Sequence, residues 1–332
     1  MGLTFIDFCS GIGGGRLGLE LNGFQCLGFS EIDKEAIKTY KSFFDTTNEL
    51  ELGDLTNINP YNLPDFDLLI SGFPCQTFSI VGKREGLENL DKGQIIFYLS
   101  KILAIKQPSY FILENVKGLM SHNKGETLKI ILELLESCGY NVSHQLLNTL
   151  DFDLPQSRER VYFVGIRKDL GIKFSFETKI FQDSKIQIKD FLNPSNENIF
   201  DNNVESYKTF LKYINNKYNI NRINLDELLK YDFLIIDTRQ SDLRIYKNKI
   251  PTLRRDRQGL LYVFNGVLYK LSALEALALQ GFNKLPNLQN KIKNLKTSDI
   301  LRQAGNAMSV NVIEDIASNI LKMITKKDVP NG

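Results

Sequence analysis

The sequence predicts an α/β protein with a doubly wound, mostly parallel sheet, followed by a second, smaller and irregular domain. Three observations carry this prediction. Up to about Gly165, short apolar runs alternate with amphipathic stretches, the pattern of successive βα units. A glycine cluster directly follows the first apolar run. Beyond Lys168 the texture shifts to lysine, asparagine and tyrosine with weak periodicity, and the stretch around Asn193 to Asn203 is rich in loop formers.

The elements follow in chain order. Strands are expected at LTFIDF (3–8), QCLGFSE (25–31), DLLISG (67–72), SYFILEN (109–115) and RVYFVGI (160–166). Helices are expected at 16–21, 34–44, 93–106 and 127–137, the last with Leu128, Ile131, Leu132 and Leu135 on one stripe. A further helical patch covers 273–280. In the terminal stretch 310–323, Val312, Ile313, Ile316, Ile320 and Leu321 make an apolar face that requires a partner, expected on the first domain. The predicted organisation is a domain at 1–167, a second at 168–295, and a segment at 296–332 that packs back on the first.

Composition bounds the function. With 332 residues, 42% hydrophobic and 24% charged, the chain is an ordinary globular protein with room for two cores. Lysine plus arginine number 41 against 39 acids, a formal net charge of +2, so any polyanion-binding surface must be local. Cys9, Cys26, Cys75 and Cys138 lack the spacing of a disulfide framework, which points to a reducing cytoplasm. His122 and His144 are the two histidines and no CxxC occurs, so no metal site is expected. No apolar stretch is long enough to span a membrane.

In FIDFCSGIGGG (5–15) a strand leads through glycines into a helix start, whose free amides face whatever ligand sits above the sheet edge. The spacing of Gly11, Gly13, Gly14 and Gly15 is not GxGxxG, because Arg16 stands where the third glycine would be, and this weakens the case for a dinucleotide. Glu31 closes the second strand where such folds place a ribose-binding acid, and Asp54 lies just beyond the expected third. Two carboxylates and a glycine loop suit an adenosine ligand bearing a positive charge, and S-adenosylmethionine is that ligand.

Three further features gather at the same sheet edge. DLLISG runs into FPCQTFS (73–79), placing Cys75 in a polar loop behind the stiffening Pro74. SYFILENV ends in Glu114, a carboxylate emerging from an apolar strand, whose burial would raise its pKa toward a general-acid role. In QSRERVYFVGIR, Arg158 and Arg160 stand at strand spacing on one expected face, where an anion or an electron-rich base oxygen would relieve their repulsion.

Taken together, these motifs resemble the DNA (cytosine-5) methyltransferases of bacterial restriction-modification systems. FIDFCSGIGGG is similar to the cofactor motif, GFPCQTFS to the catalytic PCQ motif, ENV to the acid motif, QSRERVYFVGI to the QRxR motif and QAGNAMSVNV to the C-terminal motif. IPTLRRDRQGLLYV and LYKLSALEALALQGF match the segment that organises target recognition. The resemblance implies a Rossmann-like fold, S-adenosylmethionine as cofactor and double-stranded DNA as partner. It implies that Cys75 attacks C6 of a flipped-out cytosine, Glu114 contacts N3 and the exocyclic amine, Arg160 binds O2, and Arg158 holds the loop or a phosphate nearby. Glu31 would take the ribose and Asp54 the adenine amine. Asp7, Cys9, Gly11, Gly13, Gly14, Ile32, Leu55, Pro74, Asn306 and Ala307 would complete the cofactor site. Cys9 and Ile32 depart from the family, which often has aromatics there.

The same resemblance assigns DNA contacts to Gln76, Ser79 and Lys83 in the catalytic loop. In the variable region, Arg239 and Arg244 of TRQSDLRIY would read guanine edges and phosphates, with Arg254, Arg255 and Arg257 as a basic cluster. The chain would act as a monomer on DNA, paired functionally with a restriction endonuclease. A tRNA cytosine-5 methyltransferase is the alternative, disfavoured by the absence of a CFT tripeptide. A non-catalytic DNA-binding repressor is disfavoured by intact Cys75, Glu114, Arg158 and Arg160, and a nicotinamide oxidoreductase by the broken glycine motif.

Overall fold

The computed structural model describes residues 2–74, 95–176 and 186–327. The chain divides into two compact units, one made of Met1–Asn148, Glu159–Lys179 and Met308–Gly332, the other of Thr149–Arg158 and Ile180–Ala307.

The first unit is built on a seven-stranded sheet. Its strands are β1 (Thr4–Phe8), β2 (Gln25–Ser30), β3 (Leu50–Glu51), β4 (Leu68–Gly72), β5 (Tyr110–Val116), β6 (Tyr140–Asn148) and, after the two-residue β7 (Gln156–Ser157) of the second unit, β8 (Glu159–Arg167). The order is β3-β2-β1-β4-β5-β8-β6. The strands from β3 to β5 are parallel, while β8 runs antiparallel to both β5 and β6. The sheet is therefore mostly parallel, as the sequence predicts. Strands β1, β4 and β5 are almost wholly buried, which is why they read as continuous apolar runs and not as alternating ones.

Helices α1 (Gly14–Glu20), α2 (Lys34–Phe43), α3 (Ile95–Lys106) and α4 (Glu126–Ser137) connect these strands. The predicted helix at 93–106 is described from Ile95 onward. The terminal helix, Val310–Lys327, belongs to this unit and packs against α1, burying Val312, Ile313, Ile316 and Ile320. The Asn22 side chain donates to the Glu314 carbonyl at 2.9 Å and ties the two helices together.

Strand β6 escapes sequence reading for a physical reason. It is an edge strand carrying Asn141, Ser143, His144 and Gln145, so it lacks the apolar run of its neighbours and is recruited by its ladder with β8. One strand in from the β6 edge, Gly165 of β8 lies opposite Phe111 of β5, and a Cβ there would sit 1.9 Å from the Phe111 ring. The missing side chain makes room for that ring, which also meets Tyr140 of β6 edge-on at 5.1 Å.

In the second unit a four-stranded antiparallel sheet has the order β10-β9-β12-β13, from β9 (Ile235–Asp237), β10 (Arg244–Tyr246), β12 (Leu260–Phe264) and β13 (Val267–Lys270). The short β11 (Ile250–Pro251) pairs with β7. Helix α5 (Glu205–Ile214) supplies Phe210 and Ile214 to a small core shared with Phe200, Ile236, Leu261 and Val263. Helices α6 (Leu225–Leu228), α7 (Ala273–Ala278), α8 (Leu288–Ile292) and α9 (Thr297–Asn306) complete the unit. Ser272 and Glu275 form a capping box at the start of α7, and Glu275 also accepts a hydrogen bond from the Tyr262 hydroxyl at 2.8 Å.

Gly165→Ala should destabilise the first unit by about 1–3 kcal/mol, the usual cost of forcing atoms into a packed core. Urea unfolding of the two proteins checks this; an unchanged midpoint would show that Phe111 can move aside freely.

Candidate active site

The strand order reverses between β1 and β4, and doubly wound folds open a crevice at the carboxyl ends of such a strand pair. Residues 7–13 leave β1 there and residues 72–74 leave β4. The turn out of β1 is made by residues in the left-handed region: Cys9 at φ 51°, Gly11 at 55° and Gly13 at 83°. Gly13 caps α1, and a side chain on it would collide with the Phe44 ring at 2.3 Å. A Cβ on Gly14 would lie 2.1 Å from the Met308 carbonyl oxygen, so this glycine is fixed by a close backbone approach.

Glu31, at the end of β2, closes the turn. Its carboxylate accepts from Gly11 N at 2.8 Å, Ile32 N at 2.8 Å and Asp33 N at 2.9 Å. Ile32 beside it is 71% exposed, an apolar side chain left in the open. Asp54 caps the short turn after β3 by accepting from both Thr56 N and Thr56 Oγ1, and Leu55 is buried behind it.

Asp7 is fully buried, and desolvation pushes its carboxyl up to about 8 against the pull of Arg16. Its Oδ2 lies 3.4 Å from the Tyr40 hydroxyl, while Oδ1 and the nearby Ser10 Oγ have no partner among the described residues. Desolvation, reinforced by Glu31, Asp7 and Asp54, pushes the Cys9 sulfur up to about 12. The raised value keeps Cys9 in its protonated thiol form at neutral pH.

At the end of β4, Asn115 of β5 donates to the Phe73 carbonyl at 2.9 Å and so anchors the segment that leads through the exposed Pro74 to residue 75. Cys75, Gln76, Ser79 and Lys83 lie outside the described residues. Glu114 pairs in register with Gly72 on one side and Tyr162 on the other. Arg160, two residues from Tyr162 on the same face, reaches Glu114 diagonally, Nε to Oε1 3.0 Å. Both side chains are largely buried, at 15% and 9% exposure, and a Cβ on Gly72 would be 3.6 Å from Glu114 Oε2.

The two arginines read as sharing one strand face go to different partners. Arg158 precedes β8, belongs to the second unit and is 2% exposed. Its guanidinium donates to the carbonyls of Leu253 (3.4 Å), Gly305 (3.1 Å) and Ala307 (2.9 Å). Each arginine therefore has acceptors of its own, and neither needs an external anion to relieve repulsion. Gln156, overlooked in the sequence, bridges the Leu253 amide and the Leu279 carbonyl at 2.9 Å each. These contacts hold α9 against the 252–255 loop so closely that a Cβ on Gly305 would fall 2.4 Å from Arg254 backbone. At the end of α9, Asn306 is exposed and Ala307 is buried.

Arg239 also departs from expectation. Its side chain is 3% exposed and grips Asp237 with two bonds of 2.8 and 2.7 Å, while Nη1 donates to the Thr252 carbonyl at 2.7 Å. Burial alone would raise the Asp237 carboxyl, but the bonds from Arg239 outweigh it and hold it below its ordinary value. Arg239 thus braces the loop, its guanidinium engaged by Asp237 and the Thr252 carbonyl. Arg244, Arg254, Arg255 and Arg257 remain exposed.

The sheet and the glycine turn define a Rossmann-like, S-adenosylmethionine-dependent methyltransferase fold. Residues 3–322 match the family model for C-5 cytosine-specific DNA methylase, and the chain belongs to that family. It is a DNA (cytosine-5-)-methyltransferase. The type II methyltransferase M.Bsp6I of Bacillus sp. (strain RFL6) is 35% identical over 329 residues, spanning 96% of this chain and 99% of that protein. M.BsuFI of Bacillus subtilis, also a type II methyltransferase, is 46% identical over 208 residues, 62% of this chain; the match spans half of that longer relative. The fold is shared with a DNMT2 mutant of Spodoptera frugiperda (TM-score 0.67, 17% identity, covering 96% of this chain and 99% of that one). Among the described residues no group of three or more His, Cys, Asp or Glu side chains could hold a metal, and no helix is long and apolar enough to cross a membrane.

Two outcomes follow from this geometry. Because the folded Asp7 carboxyl titrates near 8 and its ordinary value is 3.8, its stabilising share is complete below about pH 4 and is lost as the pH rises to 8. Melting temperatures of wild type and Asp7→Asn across pH 5–9 should diverge in favour of the variant up to pH 8 and then run parallel; a constant difference would contradict this. Arg158→Met, which strips three carbonyls of a buried charged donor, should cost about 3 kcal/mol or more in urea unfolding, and a loss under 1 kcal/mol would not fit.

Proposed function

We propose that this methyltransferase modifies C5 of a cytosine flipped out of a specific duplex DNA site, through a covalent adduct on Cys75. In this reading it acts in the cytoplasm as a monomer on DNA and protects that DNA from a cognate restriction endonuclease. The observation that carries the reading is the largely buried Glu114–Arg160 ion pair at the sheet edge, one strand from the segment leading to Cys75.

S-adenosylmethionine fits the residues at the β1 turn. The buried Asp7 Oδ1 and Ser10 Oγ want partners, Ile32 offers an exposed apolar surface, and Glu31 and Asp54 bring negative charge to a cationic ligand. The glycine turn would receive it together with Leu55 and Pro74. When bound it supplies an electrophilic methyl group on a sulfonium.

The chain's own residues would do the rest. The Cys75 thiolate forms a bond to C6, and electrons move toward N3 and C5 of the ring. Glu114 stabilises that shift at N3 and the exocyclic amine, held in place by Arg160, which also faces O2. Once C5 has used that electron pair to take up the methyl group, water takes the C5 proton, the C5=C6 bond re-forms, and the C6–S bond breaks to release the Cys75 thiolate. Exposed Arg244, Arg254 and Arg255, with Gln76, Ser79 and Lys83, would contact the duplex, phosphate contacts giving affinity and base edges specificity.

A duplex library containing 5-fluorocytosine tests the reading, since fluorine at C5 cannot leave as a proton. With S-adenosylmethionine the wild type should give a denaturation-resistant protein–DNA adduct and Cys75→Ala none, while on ordinary cytosine Glu114→Gln should slow methyl transfer by about 10²–10⁴-fold. Folded wild type that forms no adduct and transfers no methyl to genomic DNA would overturn it. For the DNA face, Arg254→Ala should reduce the slope of log affinity against log salt by about 1, and an unchanged slope would remove this residue from the phosphate contacts.

A further inference from the structure

The side chain that displaces the third glycine of a dinucleotide motif, Arg16, is heavily engaged by its surroundings. It lies in the first turn of α1 and is 4% exposed. Its Nε donates to Glu20 at 2.7 Å, and its two terminal nitrogens grip Glu49 at 2.6 and 2.7 Å. The guanidinium lies 4.3 Å from the centre of the Phe44 ring and 5.3 Å from that of Tyr40, with Nη1 3.4 Å from the Tyr40 hydroxyl. Those are the two rings on which Gly13 rests: a Cβ there would meet Phe44 at 2.3 Å and Tyr40 at 3.0 Å. Tyr40 in turn touches Asp7 at the foot of the same turn.

We infer that Arg16 is a positioning residue for the cofactor turn, fixing the Phe44–Tyr40 floor beneath Gly13 and thereby setting the affinity for S-adenosylmethionine without touching it. The inference rests on the reading of residues 7–15 as the cofactor site. A free arginine at this position would attract a diphosphate and repel a sulfonium. Glu20 and Glu49 cancel its charge and leave the trio formally negative, which suits a cationic ligand and disfavours a dinucleotide. The bidentate grip needs a planar guanidinium, so lysine cannot reproduce it.

Calorimetric titration with S-adenosylmethionine, with steady-state kinetics on duplex DNA, tests this on wild type, Arg16→Lys, Arg16→Met and Glu49→Gln. In Arg16→Lys and Glu49→Gln, Kd and KM for the cofactor should rise about tenfold while kcat and the Kd for DNA stay within about twofold, the pattern of lost uniform binding. Arg16→Met should be weaker still. Should it fail to fold, the two milder variants decide the matter, each checked for a cooperative melt. Wild type that binds while folded Arg16→Lys binds equally well would overturn the inference alone, as would a fall in kcat at constant KM. Wild type that binds no S-adenosylmethionine would overturn the cofactor reading and the inference with it.

Discussion

A parallel sheet buried on both faces can present chemistry only where its strands end, and the rest of this molecule follows from that constraint. β1, β4 and β5 spend their side chains on the core, so polar groups appear together at one edge: Asp7 and the glycine turn from β1, the Phe73–Pro74 segment from β4, Glu114 and Asn115 from β5. Their spacing is set by backbone hydrogen bonds, in a register that side-chain motion cannot alter. The antiparallel β8 adds Arg160 to the same edge from the opposite chain direction, which no purely parallel strand could do.

Charge is distributed by task. The formal net charge of +2 conceals a first unit in which Glu20, Glu31, Glu49 and Asp54 lie in and around the β1 turn, and a second unit whose exposed arginines cluster in and near the 252–258 loop. Several of the strongest ionic contacts are internal and partly desolvated. Such pairs add little net stability compared with apolar packing, but removing one partner strands the other. Arg16, Arg160 and Arg239 each pair with a buried or half-buried carboxylate in this way.

Much of this was legible in the sequence. The parallel strands announced themselves by apolar runs, and the terminal helix by its stripe of Val312, Ile313, Ile316 and Ile320. The motifs located Glu114 and Glu31 because an acid at the end of an apolar strand has few structural excuses. What the sequence withheld was the destination of long side chains. Arg158 and Arg160 look alike two residues apart, yet one meets carbonyls and the other a carboxylate, because β8 begins between them. For Arg239 the sequence did not show that Asp237, its neighbour across Thr238, engages the guanidinium. Strand β6 was hidden because an edge strand is held by its ladder more than by burial.

The Asp237–Arg239 brace has a consequence for how this loop can be exchanged. Thr238 donates to the Gly259 carbonyl and Arg239 to that of Thr252, so the two ends of the arginine-bearing loop are pinned to one short tripeptide, while α9 leaves no room for a side chain at Gly305. Within these pins the loop can exchange residues without disturbing its frame. A chimaera that carried this loop into a relative would then splice cleanly only if the tripeptide, the loop and the glycine travelled as one cassette.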